Sequence, residues 1–352
     1  MPASTDIADF DIRINGTALP EPARRDVRSI TVQEDLEALS MFTIGLYNWD
    51  DEALKVSWSD DRLFAVGNAV EISLGYIDDL KKVMLAEITS LEPAFTAGEP
   101  PQLTVRGYDH RHRLARARKT RSFSRMKDSA IASQVGREAG LRVEATDTKV
   151  SLPYVVQSNQ TDLEFLQRRA GLIGFEVFVR DKVLHFRPPQ NAGKAVVKLS
   201  LGAEVSDFTP RLSALSQVGE VSVRGWDVKK KAPVIGRASV GQEASAMGGT
   251  ASGPKAANRA FGKAGNVGVR QPVQTKAEAD QIALGRFNEM ALTYIQGDVT
   301  CDGRAELRAG TVVDIDGAGT TFSGPYYVTS VTHRMTAEDG FETNLSVQRS
   351  AA

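Results

Sequence analysis

The chain has 352 residues, with 43 Lys and Arg against 44 Asp and Glu and a formal net charge of −1. That balance disfavours a basic nucleic-acid coat and an acidic disordered tail alike, while 41% hydrophobic and 25% charged residues suit a globular protein of several domains. Cys301 is the only cysteine, excluding intrachain disulfides and Cys-rich zinc sites, and the sequence shows neither a secretory signal nor an apolar run near the ~20 residues of a membrane span.

The first hundred residues read as strands. Phe10, Ile12 and Ile14 alternate with polar neighbours, Asn15-Gly16 offers a turn, and short runs follow at 30–32, 42–47, 70–74, 83–91 and 103–106. Such a series without long helices predicts an antiparallel barrel or sandwich. The middle changes period. Asp128 is placed to cap a helix carrying Ile131, Val135 and Ala139, with Gly140 past its end. Thr161 and Glu164 form a capping box ahead of Leu163, Leu166 and Ala170, with Gly171 as the stop. Residues 175–179 and 183–187 read as a hairpin turning at Asp181-Lys182, closed by Pro188-Pro189.

The last third is stranded again and matches the first in order. Gly67–Ile72 aligns with Gly310–Ile315, Ile88–Leu91 with Val328–Val331, Leu103–Arg106 with Leu345–Gln348, and Phe42–Tyr47 with Val221–Trp226. One such match would reflect strand composition alone; four in order predict a duplicated β-module. Between the matching strands lies a Gly/Ala/Ser-rich insertion, about 232–271, whose composition predicts mobility in the free subunit and ordering on assembly. A helix near 276–296 follows, with a Thr275/Glu278 capping box and Gly297 as its end.

Few residues suggest chemistry. Gly248–Lys255 loosely resembles a phosphate loop, but Pro254 precedes the lysine, no strand is expected before it and no helix start with Ser or Thr follows, so the stretch reads as a low-complexity loop without an N–H cradle. His110 and His112 have one-face strand spacing, yet lack the further ligands a metal needs. No nucleophile elbow or zinc-protease motif occurs, and the carboxylate pair Asp314/Asp316 is ordinary for a strand. Eight Lys and Arg against one Asp between 109 and 127 read as a basic junction pairing with the acidic pairs at 50–51, 60–61 and 78–79. With Phe123 the only aromatic there, nucleic acid is disfavoured as a partner.

Val105–Asp109 leading into Leu114–Arg116, Gln160–Leu166 followed by Gly174-Phe175, Cys301–Gly310, and Phe322–His333 together resemble a known family. These are the late control gene D proteins of contractile phages, baseplate hub proteins whose fold also forms the N-terminal part of VgrG spike proteins and of hub–spike proteins in extracellular injection systems. The resemblance covers nearly the whole chain. It implies two tube-protein-like β-barrels, at 1–115 and 191–352, flanking a small α+β domain at 116–190. It further implies a homotrimer that adapts a hexameric inner tube to a trimeric spike among other baseplate proteins. Some relatives carry a lysozyme or effector domain, but nothing in this sequence matches one, and with the motifs above missing no cofactor, metal or catalytic residue is expected. Because the sequence ends at Ala352 without an OB-like domain or needle, a separate spike polypeptide is expected. So is synthesis in the cytoplasm, followed by incorporation into a tail or released particle. Expected interface residues are Arg111, Arg113, Arg116 and Arg118 in the basic junction, and Val70, Ile72, Val313 and Ile315 on sheet edges left open in the monomer. The competing readings are a tail-associated cell-wall hydrolase with an unrecognised active site and a basic nucleic-acid-binding module.

Overall fold

The computed structural model describes residues 7–268 and 273–352. Strands β1 (Ala8–Ile14) and β2 (Thr17–Ala18) turn at Asn15-Gly16, whose φ angles of 52° and 84° are the left-handed pair a two-residue hairpin requires. The short helix α1 (Glu21–Asp26) precedes β3 (Val27–Asp35), β4 (Met41–Tyr47), β5 (Ala69–Tyr76), β6 (Asp79–Ala94) and β7 (Gln102–Tyr108). Alternation decides their faces: β4 buries Phe42, Ile44 and Leu46 and leaves the residues between them partly exposed. The order β3-β4-β7-β6-β5-β1-β2 wraps a core that includes Ile12, Ile30, Val32, Phe64, Val70 and Ile72.

A short helix α2 (Arg111–Leu114) leads to the α+β unit of β8 (Arg118–Met126), α3 (Asp128–Glu138), β9 (Arg142–Ala145), β10 (Leu152–Thr161), α4 (Asp162–Leu172), β11 (Glu176–Arg180) and β12 (Val183–Arg187). The capping box of α4 is complete: Glu164 N–H donates to Thr161 Oγ1 at 3.1 Å, and Thr161 N–H donates to the Glu164 carboxylate at 3.0 Å. Asp128 does not cap α3. It starts the helix, and its carboxylate accepts two bonds from Arg169, at 2.7 and 2.9 Å. Gly171 lies inside α4, and Gly174, at φ 67°, follows its end. Asp181 and Lys182, at φ 50° and 63°, turn the β11–β12 hairpin.

The second barrel is interrupted. Its first strands are β13 (Ala195–Ser200) and β14 (Val205–Leu212). An excursion then carries β15 (Glu220–Asp227), β16 (Ala232–Ser239), α5 (Gly253–Phe261), β17 (Gly265–Gly268) and α6 (Lys276–Leu292). The barrel resumes with β18 (Ile295–Asp302), β19 (Val312–Asp316), the short α7 (Gly319–Phe322), β20 (Gly324–Thr336) and β21 (Gly340–Arg349). The Gly/Ala/Ser-rich stretch is therefore not a bare loop. All of β16 pairs with β15, and α6 closes over them on Val221, Val223, Val234, Ala283 and Phe287. Its composition has a packing reason at Gly236, where a Cβ would come within 2.1 Å of the α6 backbone at Ala279. Positions 269–271 of the stretch lie outside the described residues. Helix α6 begins as expected, with Glu278 N–H donating to Thr275 Oγ1 at 3.2 Å, but the Glu278 carboxylate reaches back to Gln274 N–H. The helix stops at Leu292, and Gly297 belongs to β18.

The duplication holds at the level of single hydrogen bonds. Gly67 and Gly310, at φ 93° and 81°, occupy the same turn; their N–H groups donate to the carbonyls of Ile88 and Val328 at 2.9 and 2.7 Å. Ile88 and Val328 in turn donate to the residues after those glycines, Asn68 and Thr311, both at 2.9 Å. Past these bonds each long strand bulges at a threonine, Thr89 in β6 and Thr329 in β20. A further register break recurs between Val27 and Ser29 in β3 and between Val205 and Asp207 in β14. Two of the sequence matches need correction. Val105 is equivalent to Leu345, a shift of two residues from the expected pairing of these strands, and the counterpart of β4 is β18, because β18 pairs with β21 as β4 pairs with β7. Strand β15, expected in that place, belongs to the excursion's own sheet. Strand β20 also pairs with β3, so both barrels share one sheet ordered β14-β18-β21-β20-β3-β4-β7-β6-β5-β1-β2. Among the described residues no helix is long and apolar enough to cross a membrane.

Candidate assembly interface

The joint between the barrels is a seven-residue antiparallel ladder, from Ser330 opposite Asp35 to Thr336 opposite Ser29. Its inward positions on β3 are Ile30, Val32 and Glu34, which places a carboxylate at 7% exposure in line with two core hydrophobes. Burial alone would raise the Glu34 carboxyl. Arg308 outweighs it by charge and hydrogen bonding, its Nε at 2.8 Å and its Nη2 closer still, and with Arg180 at 3.6 Å holds the group ionised below the usual carboxylate range. Arg308 also donates to the Lys82 carbonyl at 3.1 Å, tying the second barrel to β6.

Beside them His333 is fully buried. Its Nε2 lies 3.1 Å from the Leu307 carbonyl, which can only accept, so Nε2 carries the proton and Nδ1 accepts from Thr343 Oγ1 at 3.0 Å. Burial pushes its pKa down to about 4, so the ring is neutral. The α+β unit locks onto the same region: Arg180 and Arg187 donate to the carbonyls of Ala309 and Gly310 at 2.6 and 3.0 Å, and Tyr327 Oη donates to Glu176 at 2.5 Å.

A second polar cluster surrounds the buried Glu87 of β6. His112 Nε2 lies 2.7 Å away, Arg113 Nε donates at 2.8 Å, and His110 stands at 3.8 Å. Burial would raise this carboxyl, but the hydrogen bonds from Arg113 and His112 bring it down to about 2. Among the described residues no three His, Cys, Asp or Glu side chains group to hold a metal ion.

The expected interface residues are placed as follows. Val70 and Ile72 point into the first core and Val313 and Ile315 into the second, all fully buried. Their strands are paired on both sides, β5 by β1 and β6, β19 by β13 and β20, so these are not open edges. Arg111 is also internal: it donates to Asp109 at 2.8 Å, the Asp35 carbonyl at 2.9 Å and Ser40 Oγ at 2.7 Å. Arg113 pairs with Glu87 and Arg118 with Glu164, while Arg116 is exposed. Lys119, Arg121 and Lys127 pair with Asp162, Glu138 and Asp147 inside the α+β unit. Among the described residues the basic run therefore takes its partners there and, for Arg111 and Arg113, at Asp109 and Glu87, rather than at the acidic pairs 50–51, 60–61 and 78–79. Phe123 stacks on Phe165 inside that unit. One expectation at the phosphate-like stretch is corrected: helix α5 begins inside it, at Gly253, while the amides of Thr250 and Ala251 donate to the Ala352 carbonyl at 2.9 and 3.3 Å. What the sequence reading missed is Glu34, Arg308 and His333. The available signal was the alternation itself, which puts Glu34 on the face of Ile30 and Val32.

Several solved structures share this fold. The 43 kDa tail protein of prophage MuSo2 from Shewanella oneidensis is 15% identical, with 97% of this chain and 98% of that one covered at a TM-score of 0.71. A tail protein from Neisseria meningitidis MC58 is 12% identical, covered 97% and 96%, at 0.70. An E. coli component of the type VI secretion system, itself similar in structure to the bacteriophage T4 tail proteins gp27 and gp5, is 13% identical, covered 97% and 77%, at 0.61. No curated protein matches the sequence. The model of one family, described as the Alg8 N-terminal domain, matches residues 4–337, and the chain belongs to that family.

Proposed function

We propose that this chain is a structural baseplate hub subunit of a contractile tail or injection system, and not an enzyme. One observation carries the reading: two barrels with the same registers, bulges and turn hydrogen bonds are joined edge to edge in one sheet. A chain built this way offers two near-equivalent barrel faces to a tube ring and one chain's worth of symmetry to a spike. Three copies would present six barrels with true threefold and pseudo-sixfold symmetry, adapting a hexameric inner tube to a trimeric spike. The fold shared with phage tail proteins and a type VI secretion component supports this reading. The test is stoichiometry: the chain is co-expressed with its tube and spike proteins and the complex is weighed by native mass spectrometry. Three copies per spike trimer and per six tube subunits support the reading; six copies, or one, overturn it.

A further inference from the structure

At the internal joint both barrels use a specific edge. The second barrel offers β20 beyond its bulge, and the first offers β3. The duplication fixes the equivalent edges on the other side of each barrel. In the first barrel the segment of β6 beyond Thr89 pairs with β7 on one edge only. In the second, β14 is the counterpart of β3 and ends the sheet, pairing with β18 alone. Among the described residues these two edges are left without a strand partner.

We propose that these two edges pair with each other between copies of this chain, in the register set by the internal joint. The inference rests on the reading of the chain as a ring-forming hub subunit. By the equivalences above, Val331, Thr332, His333 and Met335 correspond to Leu91, Glu92, Pro93 and Phe95. Their partners across the internal joint, Glu34, Gln33, Val32 and Ile30, correspond to Leu212, Arg211, Pro210 and Phe208. The joint between copies therefore sets Leu91 against Leu212, Glu92 against Arg211, Pro93 against Pro210 and Phe95 against Phe208. In that register one face is apolar throughout and the other pairs an acid with a base. A slip by one residue would put Glu92 against an apolar residue and turn one strand's apolar side chains to the other face. Phe95 stands 64% exposed in the single chain, a large hydrophobe for which this pairing supplies a partner.

The prolines give the edges a second property. Ile88 directs its N–H and carbonyl toward the β5 side, and counting through the bulge turns the backbone of residues 91, 93 and 95 to the free edge. Ser213 N–H donates inward to the Tyr294 carbonyl, so residues 212, 210 and 208 face the other free edge. Pro93 and Pro210 thus stand where a ladder needs an N–H, and each blunts its edge against an unrelated strand. Opposite one another they leave no buried N–H without a partner, and the flanking pairs 91–212 and 95–208 keep their bonds.

Residues 92 and 211 form a non-hydrogen-bonded pair, where Cα atoms lie about 4.5 Å apart, within disulfide range. The full-length double variant Glu92→Cys/Arg211→Cys, oxidised at high concentration as a mixture of isotopically light and heavy chains, should form mixed-isotope 92–211 disulfides. Gln33→Cys/Thr332→Cys, at the equivalent internal pair, should close within one chain and calibrates the yield. Glu92→Cys/Thr209→Cys, displaced by two residues, should cross-link at least about tenfold less, because its Cα atoms exceed the span a disulfide bridges. Cys301 adds no background, being buried with its thiol pushed up to about 12. Equal yields at 211 and 209, or no cross-link between chains, overturn the inference. Native mass separates the two levels: several copies without the 92–211 bond refute this joint and leave the hub reading standing, whereas single copies throughout, even with tube and spike present, refute both.

Discussion

The two barrels hold the same positions with different side chains. In the first, Phe42 on β4 lies opposite Gly107 on β7, and a Cβ on Gly107 would sit 2.3 Å from the Phe42 ring. At the equivalent pair in the second barrel the volumes are exchanged, with Gly297 on β18 opposite Val347 on β21. The outer strands differ as well: β1 runs antiparallel to β5, while its counterpart β13 runs parallel to β19. What stays constant is the backbone pattern of turns, bulges and registers; what varies is which side of a strand pair supplies the bulk. The internal joint and the proposed outer joint differ in the same manner, the first holding the Glu34–Arg308 pair where the second has Leu212.

The largest effect is expected where the internal joint is most polar. Arg308→Met strips the buried Glu34 of its main partner and should cost about 3–5 kcal/mol in denaturant unfolding, the usual size for breaking a buried pair. Adding Glu34→Leu, which copies the second barrel's Leu212, should recover most of that loss; no recovery would mean the two joints are not interchangeable in chemistry. Next comes acid sensitivity confined to the internal joint. His333 is held at about 4 against an ordinary 6.5, so the unfolded chain takes up the proton first. Its contribution is complete above pH 6.5 and is lost as pH falls through about 4, on the order of 3 kcal/mol in all. His333→Gln should flatten that part of the stability–pH curve, leaving the later loss between pH 4.5 and about 2 that belongs to Glu87.

The exchanged volumes give a third contrast. Gly107→Val imposes the second barrel's residue on the first, where a Cβ meets the Glu87 carbonyl at 2.2 Å as well as the Phe42 ring, and should destabilise by about 3 kcal/mol through overpacking, while Phe42→Ala, costly by itself, should cost less in that background. Full additivity of the two changes would contradict the packing account. The smallest effects belong to the shared turn. Gly67→Ala and Gly310→Ala should each cost about 1–2 kcal/mol for a left-handed φ. Gly310 should be the more sensitive, since a Cβ there meets Arg187 Nη2 at 2.8 Å whereas Gly67 is open; thermal unfolding of the two variants side by side checks the order.

Much of this architecture was legible in the sequence because strands announce themselves by alternation and turns by their residues. Gly67–Ile72 and Gly310–Ile315 aligned correctly, since a left-handed glycine ahead of a buried strand is a strong joint signal. Two matches went astray for a physical reason: alternation repeats every two residues, so Leu103–Arg106 fits its partner equally well one period away, and Val221–Trp226 has the same texture as a barrel strand. The 232–271 stretch reads as mobile in the free subunit because its small residues carry little hydrophobic surface, and packing that depends on smallness leaves no such signal. At Gly236 smallness is what lets α6 approach. The interface residues were least legible. Hydrophobic strands such as Val70–Leu74 read alike whether they are central or at an edge, and Arg111 gives no sign in the sequence that Asp109, Ser40 and the Asp35 carbonyl enclose it.

The central claim, that two barrels of one chain act as equivalent units around a ring, is tested most directly by a reconstruction of the assembled hub at a resolution that traces strands. Successive barrels around the ring should superpose strand for strand, with the bulges at Thr89 and Thr329 coinciding, while the α+β units repeat only three times. A ring lined by one of the two barrels alone, or one in which six α+β units alternate with the tube subunits, would contradict the account.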